Sequence, residues 1–186
     1  VARLIYSSIS SLDGYIEDRA GNFDWAMPEA DVHAFINDLE RHVGTYLYGR
    51  RMYETMTPWE TDPQLVTHSP ITRDFAAIWQ AAEKIVYSRS LRSPRTARTR
   101  IEARFDPDEV RRIKATASRP LSIGGPTVAK SAFEAGLVDE LQLFLLPIVI
   151  GSGKPSLPVH GKLDLQLMEQ RRFPGGTLYL RYLTRI

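Results

Sequence analysis

The sequence predicts a single α/β domain over residues 1–186, with a mostly parallel central sheet, helices on both faces and an antiparallel C-terminal edge hairpin. Three observations predict it. Short apolar runs alternate with helix-periodic stretches as far as Leu137, the pattern of strand–helix–strand units. Several of those runs end on glycine or serine where the next helix pattern opens, as open parallel sheets require at their carboxyl ends. Finally, Leu163, Leu165 and Leu167, then Leu178, Leu180 and Tyr182, alternate on either side of Pro174-Gly175-Gly176, which reads as a hairpin.

Composition narrows the function classes. A chain of 186 residues suits one good-sized core rather than two. A net charge of +2 gives no support to a general nucleic-acid or membrane-surface role. The arginine excess is local, at Arg89, Arg92, Arg95, Arg98 and Arg100, a basic loop that is either a solvated face or a meeting point for an anion. The chain has no cysteine, which excludes disulfides, thiolate metal sites and a cysteine nucleophile, and fits a reducing cytoplasm. The N-terminus lacks the pattern of a signal peptide, and the longest apolar segment, Leu143 to Ile150, is broken by Pro147. His33, His42, His68 and His160 show no metal-ligand spacing, so no metal is expected.

Ala2 to Ile9 is the first predicted strand, running into the turn Ser11-Leu12-Asp13-Gly14-Tyr15-Ile16. Glu17 to Pro28 follows as a long irregular loop, either a lid or a plain surface connection. A helix starts near Glu29 to Asp31, with Val32, Phe35, Ile36, Leu39 and Val43 as its apolar stripe. Asp31 is either the N-cap of that helix or a carboxylate at the floor of a cleft beneath the lid. Thr45 to Tyr48 forms the second strand and delivers Gly49-Arg50-Arg51, a junction where a phosphate would want arginines. After a helix over Ile71 to Ala82, the strand Lys84 to Tyr87 ends in Ser88-Arg89-Ser90, groups suited to a nucleotide phosphate or ribose. Arg100 to Phe105 alternates as a strand. Asp106-Pro107-Asp108-Glu109 then opens a helix to about Thr116, with Glu109 at capping-box spacing.

The stretch Pro120 to Glu140 carries the densest signal. Leu121-Ser122-Ile123 ends a buried strand, Gly124-Gly125 follows, and Pro126 suits a first helical position. Val128, Ala132, Phe133 and Leu137 keep near helical spacing, and Gly136 and Asp139 mark the stop. Glycines at a strand-to-helix turn let backbone N–H groups approach an anion, which the helix dipole favours. The plain alternative is a tight turn without a ligand. Val138 to Ile150 is a long apolar strand bent at Pro147, and Gly151-Ser152-Gly153-Lys154 lacks phosphate-loop spacing and reads as a flexible turn.

Taken in order, SLDGYI (11–16), the helix bearing Asp31 and Phe35, YGRRMYE (48–54), YSRS (87–90), IGGPTVAKSAFEAGLVDEL (123–141) and LPIVIGSGKP (146–155) resemble the dihydrofolate reductase superfamily. Within it they are most similar to the branch containing the C-terminal reductase domain of the bifunctional riboflavin-biosynthesis enzyme. The resemblance implies a dihydrofolate-reductase-like fold and NADPH as cofactor. It implies that Gly49, Arg50 and Arg51 hold phosphates, that Ser88 and Arg89 meet the adenosine 2′-phosphate region, and that Leu12, Asp13 and Gly14 belong to the loop over the nicotinamide. Gly124 and Gly125, linked by a peptide often cis in relatives, would pass beneath the pyrophosphate and nicotinamide with Thr127.

Asp31 falls where the superfamily places an acid, and a partly buried carboxylate there would have a raised pKa and relay a proton to the substrate. The alternative roles are a helix cap or a substrate hydrogen-bonder. No deaminase-like stretch precedes this region and no cysteine is present for a deaminase zinc, so the reductase half alone is expected. The expected function is NADPH-dependent hydride transfer to a pterin-like or ribosylaminopyrimidine-like heterocycle. The alternative is a nucleotide-binding module of the same fold that has lost catalysis. The expected partners are a small heterocyclic substrate and a second copy of the chain, the homodimer being suggested by the apolar strand 141–150, with no nucleic acid and no membrane.

Overall fold

The structure is a computed structural model that describes residues 1–185. In chain order the elements are β1 (Leu4–Ser11), β2 (Tyr15–Asp18), a 3-10 turn (Asp24–Ala26), α1 (Ala30–Glu40), β3 (Thr45–Gly49) and α2 (Arg50–Met56). There follow α3 (Pro58–Thr61), α4 (Pro63–Thr67), α5 (Pro70–Ala81), β4 (Glu83–Tyr87), β5 (Thr99–Glu102) and α6 (Pro107–Thr116). The chain closes with β6 (Leu121–Gly124), α7 (Pro126–Glu134), β7 (Glu140–Leu146), β8 (Gly153–Pro155), β9 (Asp164–Arg172) and β10 (Leu178–Arg185).

One large sheet has the order β5-β4-β3-β6-β1-β7-β10-β9. Strands β5 through β7 in that order are all parallel, because each is reached by a helix or a long crossover that returns the chain to the same end. The hairpin of β9 and β10 then adds the antiparallel edge. β7 itself runs parallel to β1, so only β10 opposes its neighbours in direction.

Strands in the middle are buried on both faces, which is why their sequences read as unbroken apolar runs. Leu4, Leu47, Leu121, Ile123 and Leu141 pack against Val110 of α6 and Ala129 and Ala132 of α7. On the opposite face Tyr46, Tyr48 and Val86 meet Tyr53 of α2 and Phe75 and Trp79 of α5. Val32 of α1 joins Phe144, Phe173 and Tyr179 further along that face. Tyr46 and Tyr48 thus point one way and Leu47 the other, the two-residue period of a strand.

Helix boundaries follow their caps. Ser69 accepts from Thr72 N at 3.1 Å while Thr72 Oγ1 accepts from Ser69 N at 2.9 Å, a capping box that starts α5. Asp106 caps α6 through Asp108 N at 2.9 Å, but Glu109 turns to Arg100 at 2.7 Å and leaves the expected box incomplete. At the far end of α5, the buried Lys84 ammonium donates to the carbonyls of Trp79 and Ala82 at 3.0 and 2.9 Å and lies 4.3 Å from the Trp79 ring centre. Helix α1 stops at Glu40, short of Val43, which is buried in the following turn.

Three expectations are corrected by long-range pairing. Tyr15–Asp18, expected as turn and lid loop, is a strand that pairs with Gly153–Pro155, expected as a flexible turn. Gly153 is needed there because a Cβ would collide with the Glu17 carbonyl. The strand expected over Val138 to Ile150 is limited to Glu140–Leu146 and is interior, between β1 and β10. Its apolar residues are therefore core, and they do not carry the homodimer expectation.

Glu40, the last residue of α1, ends against the sheet, where its carboxylate accepts from the Tyr46 hydroxyl at 2.8 Å. Burial pushes its pKa up to about 7 from 4.5, although the Tyr46 bond opposes the shift. The folded state thus holds this proton more tightly than the unfolded chain does. The stability it contributes is complete below about pH 4.5 and is lost as pH rises through about 7. Glu40→Gln is expected to flatten the pH dependence of stability across that interval, measured by urea unfolding at several pH values. An unchanged slope would show that Glu40 titrates normally.

Candidate functional site

Parallel pairing brings the carboxyl ends of the strands to one rim. Tyr48 is level with Gly124, and Gly49 with Tyr87, so the segments leaving β3, β4 and β6 begin side by side. Gly49, Ser88 and Gly124 are therefore neighbours in space although far apart in sequence. The turn Leu12-Asp13-Gly14 leaves β1, the strand on the other side of β6.

Each rim glycine has a packing reason to be glycine. A Cβ on Gly124 would lie 2.9 Å from Tyr48 Cε1, and one on Gly49 would lie 2.9 Å from Val128 Cγ2. Gly125 has φ +90°, a conformation that L side chains rarely adopt. The peptide linking the two glycines is trans, correcting the cis expectation: the positive φ at Gly125 turns the chain into α7 without it. Pro126 occupies the first position of α7, and no side chain caps its N-terminus. Its first N–H groups are left for other acceptors.

The two arginines after Gly49 diverge. Arg50 bonds Glu54 Oε1 at 2.9 Å and Ser90 Oγ at 2.7 Å, tying α2 to the loop after β4. Arg51 grips Glu17 with both ends of its guanidinium, at 3.1 Å each, and so fastens β2 to α2. Asp18 accepts from the amides of Ala20 and Asn22, folding residues 18–22 into a compact turn beside that clasp. Both arginines expected at phosphates are thus engaged within the chain, and Arg51 ties the segment after β1 to α2.

Asp13, Leu12 and Gly14 organise the rim beside β1. Hydrogen bonds from the Ser11 hydroxyl, then from the Gly151 and Ile150 amides, hold the exposed Asp13 carboxyl below its ordinary range. Leu12 is 60% exposed and its N–H donates to Ile148 O at 2.8 Å. Gly14 has φ +87° and accepts from Ser156 N at 2.9 Å.

Asp31 differs from both readings of it. Helix α1 takes Glu29 as its N-cap, with no side-chain cap bond, so Asp31 falls within the first turn. Its neighbour Val32 turns into the core, which leaves Asp31 exposed, its carboxylate accepting only from Val32 N at 2.8 Å. Asp31 is thus at the surface rather than at the floor of a cleft.

A cleft of about 490 Å³ joins Ser88, Arg89 and Thr127, three of the expected cofactor residues. Its other walls are Tyr87, the turn Ala103-Arg104-Phe105, and Val128 and Ser131 of α7. Ser131 lies one helical turn beyond Thr127, a spacing legible in the sequence. Arg104 and Phe105 were hidden because the strand there was expected to reach Phe105, whereas β5 ends at Glu102 and the next residues turn over the rim. Among the described residues no group of acids and histidines is arranged to hold a metal ion, and no helix is long and apolar enough to cross a membrane.

Two substitutions test this construction. Gly125→Ala forces a side chain into the positive-φ conformation and is expected to lower stability by about 1–3 kcal/mol in denaturant unfolding. Full stability would mean that the turn relaxes freely. Arg51→Ala is expected to speed tryptic cleavage at Arg19 while global stability changes little, since its ion pair is exposed on the arginine side. Unchanged cleavage would show that this segment does not depend on the clasp.

Comparison with known proteins agrees with this architecture. The family model described as RibD C-terminal domain matches residues 2–179. The uncharacterized protein YyaP of Bacillus subtilis (strain 168) is 26% identical over 185 residues, covering 97% of this chain and 94% of that protein. A putative riboflavin biosynthesis protein from Shewanella sp. PV-4 superposes with a TM-score of 0.76 at 19% identity, covering 99% of both chains. The Thermotoga maritima diaminohydroxyphosphoribosylaminopyrimidine deaminase/5-amino-6-(5-phosphoribosylamino)uracil reductase gives a TM-score of 0.64 at 16% identity, over 99% of this chain and 57% of that one. The solved structures show the shared dihydrofolate-reductase-like fold. With nearly the whole chain matched, the protein belongs to the RibD C-terminal domain family, whose fold is of reductase type.

Proposed function

We propose that the protein is an NADPH-dependent reductase that transfers a hydride to a pterin-like or ribosylaminopyrimidine-like heterocycle. The observation that carries this reading is the cleft uniting Ser88, Arg89 and Thr127 in a chain of this family. The residues suit the cofactor: hydroxyls and a guanidinium for a phosphate, an uncapped helix start, and glycines that let the backbone come close. When bound, the nicotinamide supplies the hydride, and the chain's part is to position it. In this reading Gly124 and Gly125 form the floor, the turn at Leu12-Asp13-Gly14 covers it, and Arg51 keeps the lid attached at its base. Asp31, at the solvent edge of α1, passes a proton from water to the substrate. The relatives' descriptions as a riboflavin-biosynthesis protein and a phosphoribosylaminouracil reductase support the substrate class.

A nucleotide-binding module without turnover is the second reading. One observation favours it: Asp31 is exposed, and its carboxylate is bonded to its own helix. Titration with NADPH and NADH, followed by tryptophan quenching, and then assay of NADPH oxidation with pterins and pyrimidines, separates the two. The reductase reading expects binding that prefers NADPH, and turnover that Asp31→Asn slows roughly 10²-fold without weakening NADPH. Unchanged turnover in Asp31→Asn would remove Asp31 from the mechanism, and NADPH binding without oxidation of any heterocycle would favour the silent module. A homodimer is part of the proposal, and sedimentation at a monomer mass would remove it.

A further inference from the structure

The large sheet has two open edges, and they are unlike. β5 has four residues, and its Arg100 is held by Glu109 at 2.7 Å, so that edge is short and charged. Those are features that keep an edge from pairing with another chain. β9 has nine residues, contains no proline and pairs only with β10. Every second residue along it therefore turns its backbone N–H and C=O away from the ladder.

An apolar face runs up to this second edge. Register sets Leu178 and Leu180 of β10 level with Leu145 and Leu143 of β7, and Leu167 of β9 level with Tyr182. Further in, α6 and α7 cover the same side of the sheet through Val110, Ala129 and Ala132. Toward β9 that cover runs out: Leu143 is 9% exposed, Leu178 39% and Leu167 47%. Met168, the extra residue where the ladder slips, is exposed as well. Contiguous exposed apolar side chains beside an unpaired strand mark an interaction surface.

The charges along β9 say which partner fits. The strand starts at Asp164 and ends at Arg171 and Arg172. Asp164 has only the exposed Lys162, at 3.0 Å. Arg171 lies over the rings of Phe35 and Phe173, and among the described residues neither arginine is in an ion pair. A strand acidic at one end and basic at the other complements itself when a copy runs antiparallel to it, whereas a parallel copy brings like charges together. With a two-fold axis between Leu167 and Met168, Asp164 meets Arg171 of the second copy and Leu167 meets its Met168. The slip at Met168 makes this possible. Asp164 is level with Arg185 and Arg171 with Tyr179, an even number of residues apart on β10, so both side chains lie on one face.

We propose that the edge of β9 is the interface with a second copy of this chain. The two β9 strands pair antiparallel into one continuous sheet, with Leu167 and Met168 at the centre and an Asp164–Arg171 pair at each end. The inference rests on the homodimer of the proposed reading, gives it a surface and is independent of the cofactor.

The test is sedimentation velocity of the full chain over a dilution series, for the wild type, Leu167→Lys, Asp164→Arg and the double variant Asp164→Arg/Arg171→Asp. The wild type is expected to be a dimer. Leu167→Lys sets two ammonium groups at the centre of the contact and is expected to raise the dissociation constant about 100-fold or more. Its far-ultraviolet circular dichroism is expected to match the wild type, because Leu167 is exposed in the single chain. Asp164→Arg is expected to weaken the dimer about tenfold, and the added Arg171→Asp to restore it. A monomeric wild type would overturn this inference and the homodimer together. A dimer that Leu167→Lys leaves intact would overturn the β9 surface while the homodimer stands. No recovery in the double variant would overturn the antiparallel register. NADPH oxidation, assayed on the same samples, decides the reductase reading separately.

Discussion

The parallel run of strands from β5 across to β7 is the constraint on which the rest depends. Once neighbouring strands share a direction, every connection must carry the chain back over a face, and both faces become covered. Leu47, Ile123 and Leu141 are then core on one side, while Tyr48, Val86 and Phe144 are core on the other. All the turns that leave the sheet at its carboxyl ends are brought together as a consequence. The candidate site is in this sense a by-product of topology: Gly49, Ser88 and Gly124 meet because β3, β4 and β6 are adjacent and aligned.

Close packing at that rim limits what the residues there can be. Gly124 makes room for the Tyr48 ring and Gly49 for Val128, so both glycines serve the contact between β3, β6 and α7 whether or not a ligand is bound. The N-cap of α7 is Gly125, which has no side chain to accept from the backbone N–H groups at the start of that helix. An open helix start costs local stability and offers an anion a place to bind. Tyr87 belongs to the same balance, since its buried hydroxyl is a cost to the fold at the wall of the cleft. Groups left unsatisfied at a rim otherwise rich in bonds are where local consistency gives way to function.

Around this rim the segment that follows β1 is held by polar contacts rather than by a core. Its base is the short ladder of β2 with β8, its side is the Arg51–Glu17 clasp, and its neighbouring turn is pinned by Asp13 to the amides of Ile150 and Gly151. Leu12, Phe23 and Met27 remain exposed on it. Elements with few buried apolar contacts and exposed bonds open at lower cost than the sheet beneath them. This segment is therefore held less tightly than β1 and β6 beneath it.

The sequence by itself determined the α/β class, the hairpin at the end, the strand-to-helix junctions at Gly49 and Gly124, and the strand end at Ser88. Those features are written in apolar periodicity, proline and glycine, signals that act within a few residues. Only the tertiary structure decided that Tyr15–Asp18 is a strand, because its partner, Gly153–Pro155, lies far along the chain. It likewise decided that Arg51 holds Glu17, that Asp31 faces solvent, and that Arg104 and Tyr87 stand in the cleft with Ser88 and Thr127. Side-chain partners across a sheet depend on strand order and register. Local pattern specifies neither, since any of several strands of like composition can lie side by side until the whole core is packed.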